Sequence, residues 1–149
     1  MRIGLYSALA RRNVIAARAH IAERGYSASA DDIRRCRQDL IALGAETLAG
    51  SVARTMDFFS VSECRDLIFH VQEHQFTLME IKTFLIEHDL QLIGIDVEPH
   101  IAQQYRVRFP QDRTLTDLDC WNVFENENPR MFAGMYQFFI QKPASAVNS

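Results

Sequence analysis

The chain begins directly with a strand pattern typical of a sheet interior. Residues 1–6, Met-Arg-Ile-Gly-Leu-Tyr, form a short apolar run that ends at Ser7 and leads into a helical pattern. Such a strand needs a neighbour on each edge, because unpaired backbone groups are costly in a core and an exposed edge recruits other chains. Only later residues of this chain can supply those neighbours. The sequence therefore predicts either that the 149 residues are the later part of a larger domain or that another molecule covers this edge.

Composition and charge fit one globular domain with a substantial core, since 48% of the residues are hydrophobic and 23% are charged. The formal net charge of -3 and the pI of about 5.9 argue against the global positive field that draws proteins to nucleic acid or anionic lipid. No apolar run reaches the roughly 18 residues of a membrane span, and the N-terminus lacks the layout of a signal peptide. We therefore predict a soluble, cytoplasmic protein with neither a nucleic-acid nor a membrane partner.

The cysteines point to the same compartment. Cys36, Cys64 and Cys120 are odd in number, lie far apart and form no C-x-x-C pair. This spacing argues against a disulfide framework and against a cysteine-rich zinc site. The sequence predicts reduced thiols on small, buried side chains.

Helical periodicity dominates residues 8–88, which the sequence predicts to be one large helical block. Two of its helices have strong start signals, because Ser60-x-x-Glu63 and Thr77-x-x-Glu80 each place a hydroxyl and a carboxylate at the two ends of a first turn. The predicted helices cover 8–24, 30–43, 45–56, 60–74 and 77–88.

Two further segments have the character of strands. Residues 90–97 end at Glu98-Pro99, which cannot continue a strand, and residues 135–141 form an aromatic run near the end of the chain. Helices are predicted between them over 100–107 and 116–127, the latter behind a Thr116 cap and with Trp121 in the core. No linker divides the chain, so the sequence predicts one domain over 1–142 and a frayed tail over 143–149.

Three segments make this order of elements more specific. They are Gly-Leu-Tyr-Ser-Ala-Leu-Ala-Arg-Arg at 4–12, Asp-Phe-Phe-Ser-x-Ser-Glu-Cys-Arg-Asp-Leu-Ile-Phe-His-Val-Gln-Glu-His at 57–74, and Met-Tyr-Gln-Phe-Phe-Ile-Gln-Lys at 135–142. Together they resemble the C-terminal part of bacterial S-adenosylmethionine-dependent methyltransferases, which are often fused to tetratricopeptide repeats. The resemblance extends from Met1 to about Lys142.

The resemblance implies a fold for the whole chain. It is the last part of a Rossmann-like α/β domain, mostly helical, with a three-stranded mixed sheet and a large helical insertion at 8–88. The strands near 2–6, 90–97 and 135–141 would correspond to the family's fifth, sixth and seventh strands. The antiparallel last strand would lie between the other two, giving the spatial order first-third-second. A central position suits 135–141, which is the most apolar of the three and is expected to be buried on both faces.

The chain departs from the family in the cofactor site. Such enzymes hold S-adenosylmethionine in the first half of the sheet, at a glycine-rich turn and an acidic strand end. Here the glycines are isolated, at Gly4, Gly25, Gly44, Gly50, Gly94 and Gly134. The complete enzyme would use S-adenosylmethionine, whereas this chain alone is expected neither to bind it nor to transfer methyl groups. Its partner is expected to be the remainder of the domain, or a symmetry mate in a homodimer formed across the edge of the strand at 1–6.

The densest local chemistry is the sequence His70-Val71-Gln72-Glu73-His74, which matches the H-x-x-E-H pattern of inverted zinc proteases. On a helix, His70, Glu73 and His74 would share one face and reach one Zn²⁺. A working zinc site also needs a third protein ligand and an enclosed cleft. Glu80 and Glu87 are the only nearby candidates for the third ligand. A small zinc hydrolase is therefore a remote alternative.

The same helix offers a second interpretation. Cys64, Leu67, Ile68 and Val71 fall on one side, with a polar stripe of acids and imidazoles beside them. That stripe is either a solvated face or the lining of a substrate pocket in which a His or Glu orients or deprotonates the methyl acceptor. The candidate catalytic residues are His70, Glu73 and His74, and the candidate substrate-binding residues are Tyr6, Ser7, Phe58, Phe59 and Asp66.

The candidate substrate-binding residues outside this polar stripe can also be explained by purely structural roles. Tyr6 and Ser7 end the first strand, and ligands of open α/β sheets bind beyond the carboxyl ends of strands. In the resembled enzymes that position faces cofactor and substrate, but Ser7 as a helix cap and Tyr6 as packing explain the residues equally well. Phe58 and Phe59 are either pocket wall or hydrophobic core.

Overall fold

The computed structural model describes residues 1–70 and 72–144, which form a mixed α/β structure. They divide into two compact units. The sheet unit combines residues 1–10 with the described residues from 74 onward, and the helical unit is Arg11–Glu73. The helical unit is shorter than the predicted insertion at 8–88, because the helix that begins at Leu78 packs within the sheet unit.

The sheet contains four strands, where three were predicted. They are β1 (Arg2–Ser7), β2 (Gln75–Phe76), β3 (Gln91–Ile95) and β4 (Tyr136–Gln141), in the spatial order β2-β1-β4-β3. The three predicted strands therefore lie in the order that was expected, with the last one antiparallel between the other two. The additional strand, β2, runs parallel to β1. Its two residues are too few for an alternating pattern to show in the sequence.

β4 is buried on one face only, so the expectation of two buried faces is wrong. Tyr136, Phe138 and Ile140 point to the core and are at most 3% exposed, whereas Phe139 on the other face is 40% exposed. The reason is that the buried residues of three helices gather on the Tyr136 face to form a single core with β4.

The three helices of the sheet unit are α4 (Leu78–Glu87), α5 (Pro99–Arg108) and α6 (Leu118–Glu127). The predicted capping box at Thr77 is present with both reciprocal hydrogen bonds. The cap of α6 is Asp117 and not Thr116, because the Asp117 carboxylate accepts the N–H groups of Asp119 and Cys120. Trp121 is fully buried, as predicted, and stacks on Tyr105 with the ring centroids 3.8 Å apart.

The first two helices of the helical unit are present, although the first begins at Arg12 and not at Ala8, because residues 8–11 form a turn. α1 (Arg12–Arg24) ends at Gly25 with φ +67°, and α2 (Ala30–Ala42) is capped by Ser29, whose side chain accepts the Asp32 N–H. The helix expected over 45–56 is replaced by two 3-10 turns, Gly50–Arg54 and Met56–Phe58.

The helix predicted from 60 to 74 ends five residues early. Ser60 caps α3 (Val61–Cys64), which continues as a π-helical turn, Arg65–Phe69, and His70 is extended. The Leu67 carbonyl, which a continuing α-helix would use in its next turn, accepts a hydrogen bond from Arg18 Nη2 at 2.9 Å. The predicted position of Val71 on this helix, and residues 145–149 of the predicted tail, lie outside the described residues.

The three cysteines are free thiols; Cys36 and Cys64 are buried as predicted, whereas Cys120 is only partly buried. Burial raises the pKa of Cys36 to about 12. Within residues 1–70 and 72–144, no helix combines the length and the apolar character needed to cross a membrane.

Candidate functional site

The eight residues predicted for a substrate pocket are divided between the two units. Tyr6, Ser7 and His74 belong to the sheet unit. The helical unit contains Phe58, Phe59, Asp66, His70 and Glu73.

Within the helical unit, the two phenylalanines differ sharply in environment. Phe58 is fully buried in the core, with the Arg37 guanidinium 5.5 Å from its ring centroid. Phe59 packs edge-on against it but remains 64% exposed. Asp66 and His70 are exposed. Of the two roles that the sequence allowed for Phe58, pocket wall or hydrophobic core, the structure shows hydrophobic core.

Glu73 joins the two ends of the helical unit. Its carboxylate lies 3.3 Å from Arg11 Nε and 3.3 Å from Arg18 Nη2, and its side chain is 8% exposed. Arg11 and Glu73 are the first and last residues of the unit. One carboxylate thus binds two guanidinium groups and holds the start of α1 beside the end of the unit.

Replacing Glu73 by Gln should destabilise the helical unit by about 2 kcal/mol, because two partly buried guanidinium groups would lose their counter-charge. Hydrogen exchange followed by mass spectrometry should show faster exchange across α1. Glu63→Gln is the matched control, since Glu63 is an exposed acid of the same unit. Equal exchange in the two variants would contradict this role for Glu73.

The residues of the H-x-x-E-H sequence are not arranged on a helix as a zinc site would require. His70 and Glu73 do not lie on one helical face, because the helix ends at Phe69. Among the residues that the structure describes, no group of three His, Cys, Asp or Glu side chains is placed to hold a metal ion.

The sheet unit contains a buried polar cluster of Ser7, Glu125 and Tyr136, which we call the Glu125 cluster. All three residues are at most 2% exposed. The Ser7 hydroxyl and the Tyr136 hydroxyl both donate to the Glu125 carboxylate, Tyr136 at 2.9 Å to Oε1 and 2.8 Å to Oε2. Ser7 Oγ also accepts the Ala10 N–H at 3.0 Å. The cluster therefore ties the end of β1, the start of β4 and α6 together.

Burial dominates the electrostatics of this cluster. It raises the pKa of Glu125 above its usual range, although the hydrogen bonds from Ser7 and Tyr136 oppose that shift. The pKa of Tyr136 is also raised, chiefly by burial. Glu125 can therefore keep its proton to a higher pH than an exposed glutamate.

The cluster lies where open α/β sheets bind ligands. Ser7 is the last residue of β1 and Tyr136 is the first residue of the antiparallel β4, so both mark the carboxyl end of β1 and of the parallel β3. Because its members are buried, they do not contact a ligand directly. They fix the turn after β1 through the Ala10 N–H, and thus position the backbone at that end of the sheet.

Of the three residues in the Glu125 cluster, Ser7 was predicted from the sequence, whereas Glu125 and Tyr136 were not. A signal for each was present. Glu125 lies four residues after Trp121 and seven after Leu118, so it falls on the apolar stripe of its helix. Tyr136 alternates with Phe138 and Ile140 on the buried face of β4.

One edge of β1 is largely uncovered. β4 pairs with β1 along Arg2–Leu5, whereas β2 pairs on the opposite side only at Tyr6 and Ser7. In the part of the chain that the structure describes, no strand covers that opposite edge from Arg2 to Leu5. A cavity of about 300 Å³ lies beside it, and Glu80 is the single charged residue among side chains that include Ile3, Leu5, Phe76, Ile81 and Phe84.

No protein-family model matches this chain, and no curated protein matches it in sequence. Three features of the sheet unit bear on its function. They are the order of the strands, the uncovered edge of β1 and the position of the Glu125 cluster.

Proposed function

We propose that this chain is the C-terminal, substrate-side portion of an S-adenosylmethionine-dependent methyltransferase and that it does not bind the cofactor by itself. The observation that supports this most strongly is the strand arrangement β1-β4-β3, in which an antiparallel last strand lies between two parallel ones. That is the arrangement implied by the resemblance of the sequence to this family.

The uncovered edge of β1 supports the proposal independently of the resemblance. Among the residues that the structure describes, no strand lies beside Arg2 to Leu5 on that side, and the backbone groups there lie next to an apolar cavity. A further strand there would pair with these groups and cover Ile3 and Leu5. In the proposed enzyme the remainder of the domain supplies that strand, together with the glycine-rich cofactor site.

The sheet unit would then contribute to the substrate side of the complete enzyme. Tyr6 and the Glu125 cluster lie at the carboxyl end of β1, where the cofactor and the methyl acceptor are expected to meet. His70 and His74 are exposed and remain candidates for contact with the acceptor, whereas Glu73 is engaged with Arg11 and Arg18.

The proposal is tested by comparing this chain with a longer product of the same reading frame. Sequencing upstream of Met1 should reveal a glycine-rich turn after a strand in frame. By calorimetry, S-adenosylhomocysteine should bind the longer protein, while the 149-residue chain shows no saturable heat. Tight binding by the chain alone would overturn the second half of the proposal.

Absence of a glycine-rich half in the same frame would overturn the first half. Light scattering of the 149-residue chain then identifies what covers the edge of β1. A dimer that dissociates on Leu5→Lys substitution would indicate pairing between two copies, because a lysine there would place a charge in the apolar cavity.

A further inference from the structure

A second cavity of the sheet unit lies between the start of α5 and the end of α6. Its volume is about 360 Å³, within the range of about 300–1,000 Å³ for small-molecule sites. α5 begins four residues after β3 ends, and the segment after α6 leads into β4. The cavity is therefore associated with the carboxyl end of β3, the end at which open α/β sheets bind ligands.

The floor of this cavity is apolar. Ile101, Phe124, Pro129 and Met131 line it, and Phe124 belongs to the buried core. A ligand that covers these side chains would remove apolar surface from water, which favours binding roughly in proportion to the area covered. The floor thus suits a flat ring or a short aliphatic body.

The rim is polar and contains one full positive charge. Arg130 is the single Lys, Arg, Asp or Glu residue of the lining, and in residues 1–70 and 72–144 no ion pair or hydrogen bond engages its guanidinium group. Arginine binds carboxylates through two parallel N–H donors. The cavity therefore offers a place for an anion in a protein whose formal net charge is -3.

The other rim groups favour a ligand that also has a hydrogen-bond donor. His100 lines the cavity with an imidazole ring, whose Nδ1 lies 3.2 Å from Glu98 Oε2 and whose other nitrogen is a further hydrogen-bonding group. Asn128 Nδ2 donates to the Phe124 carbonyl at 3.0 Å, which leaves its Oδ1 as an acceptor. Gln104 adds a side-chain amide, which can both donate and accept a hydrogen bond.

From this arrangement we infer that the cavity, which we call the Arg130 site, binds a small amphipathic acid. Its carboxylate contacts Arg130, its ring or chain covers the Ile101 and Met131 floor, and a hydroxyl or amino donor reaches His100 or Asn128. This site does not depend on the methyltransferase proposal, because all of its residues belong to the sheet unit described here.

The test uses 4-hydroxyphenylacetate and its neutral amide as probes, followed by NMR of the backbone amides. The acid should bind with a Kd of about 1 mM, as a probe of this size allows, and should shift the amides of Ile101, Gln104 and Met131. The amide probe should bind about tenfold more weakly, because it lacks the charge that Arg130 recognises.

Arg130→Gln should lower the affinity for the acid about tenfold and leave that for the amide unchanged. Arg113→Gln is the matched control, since Arg113 is an exposed arginine of the same unit that does not line the cavity. Equal affinity of the acid for wild type and Arg130→Gln, or no saturable shift at millimolar concentrations, would overturn the inference.

Discussion

Replacing Glu125 by Ala is expected to destabilise the sheet unit by about 4 kcal/mol, a large share of the total stability of an ordinary domain. The substitution leaves the buried hydroxyls of Ser7 and Tyr136 without their acceptor and opens a cavity beside them. Urea unfolding followed by tryptophan fluorescence measures the effect in the correct unit, because Trp121 is the single tryptophan of the chain and is fully buried. Glu87→Ala, at an exposed helical position of the same unit, should change stability little.

Glu125→Gln separates the charge from the packing. The folded protein holds the carboxyl proton more tightly than the unfolded chain, since burial raises the pKa of Glu125 above its ordinary value of 4.5. The stabilising contribution is therefore complete below pH 4.5 and declines as the pH rises through the raised pKa. The Gln variant should lack this decline. The difference in unfolding free energy between wild type and Glu125→Gln should therefore change as the pH rises above 4.5. A difference that stays constant would contradict a buried, titrating carboxyl group at Glu125.

The second large effect is expected at Asp112, in the segment between α5 and α6. Its carboxylate accepts the Tyr105 hydroxyl at 2.7 Å and the backbone N–H of Asp117 at 3.0 Å. The Thr116 N–H and the Thr114 hydroxyl each lie 3.3 Å from Oδ1. Asp112→Ala should cost about 3 kcal/mol, because the fully buried Tyr105 hydroxyl would lose its acceptor at 2.7 Å and keep only the Asp117 carbonyl oxygen at 3.5 Å.

The contribution of Asp112 to stability changes with pH in the opposite direction to that of Glu125. Burial alone would raise the pKa of this carboxyl, but the hydrogen bonds from Tyr105 and from the Asp117 and Thr116 backbone outweigh it and lower the pKa. The stabilising contribution is thus complete above the ordinary value of 3.8 and disappears as the pH falls through the lowered pKa.

Tryptophan fluorescence in urea, repeated at several pH values, checks the predictions for Asp112. Asp112→Asn should lose the acid-dependent part of the stability that wild type shows. Arg113→Ala is the control, because Arg113 is the exposed neighbour in the same segment. If Asp112→Ala and Arg113→Ala unfold at the same urea concentration, the hydrogen bonds to Asp112 do not stabilise the segment.

Local signals in the sequence predicted much of the fold. The caps at Ser29, Ser60 and Thr77 all accept the expected backbone N–H groups, because capping depends on residues only three positions apart. Gly25 ends α1 in the left-handed conformation for a similarly local reason.

The elements that the sequence did not predict correctly depend on contacts between distant residues. β2 exists because Gln75 and Phe76 lie beside the end of β1, and two residues have no period of their own. The helix after Ser60 ends at Phe69, where the Leu67 carbonyl is bonded by Arg18, a residue 49 positions earlier in the chain. Neither contact can be read from neighbouring residues.

The sequence by itself determined the three longer strands and the helices other than those predicted over 45–56 and 60–74, since apolar periodicity and capping are local. The resemblance gave the expected order of those three strands. Only the tertiary structure decided which polar side chains would meet. It brought Ser7 to Glu125 and Tyr136, which lie more than 100 residues later in the chain, and it separated the predicted pocket residues between two units. The physical reason is that the effect of burying a charge depends on its surroundings in space, which chain packing creates and local spacing does not specify.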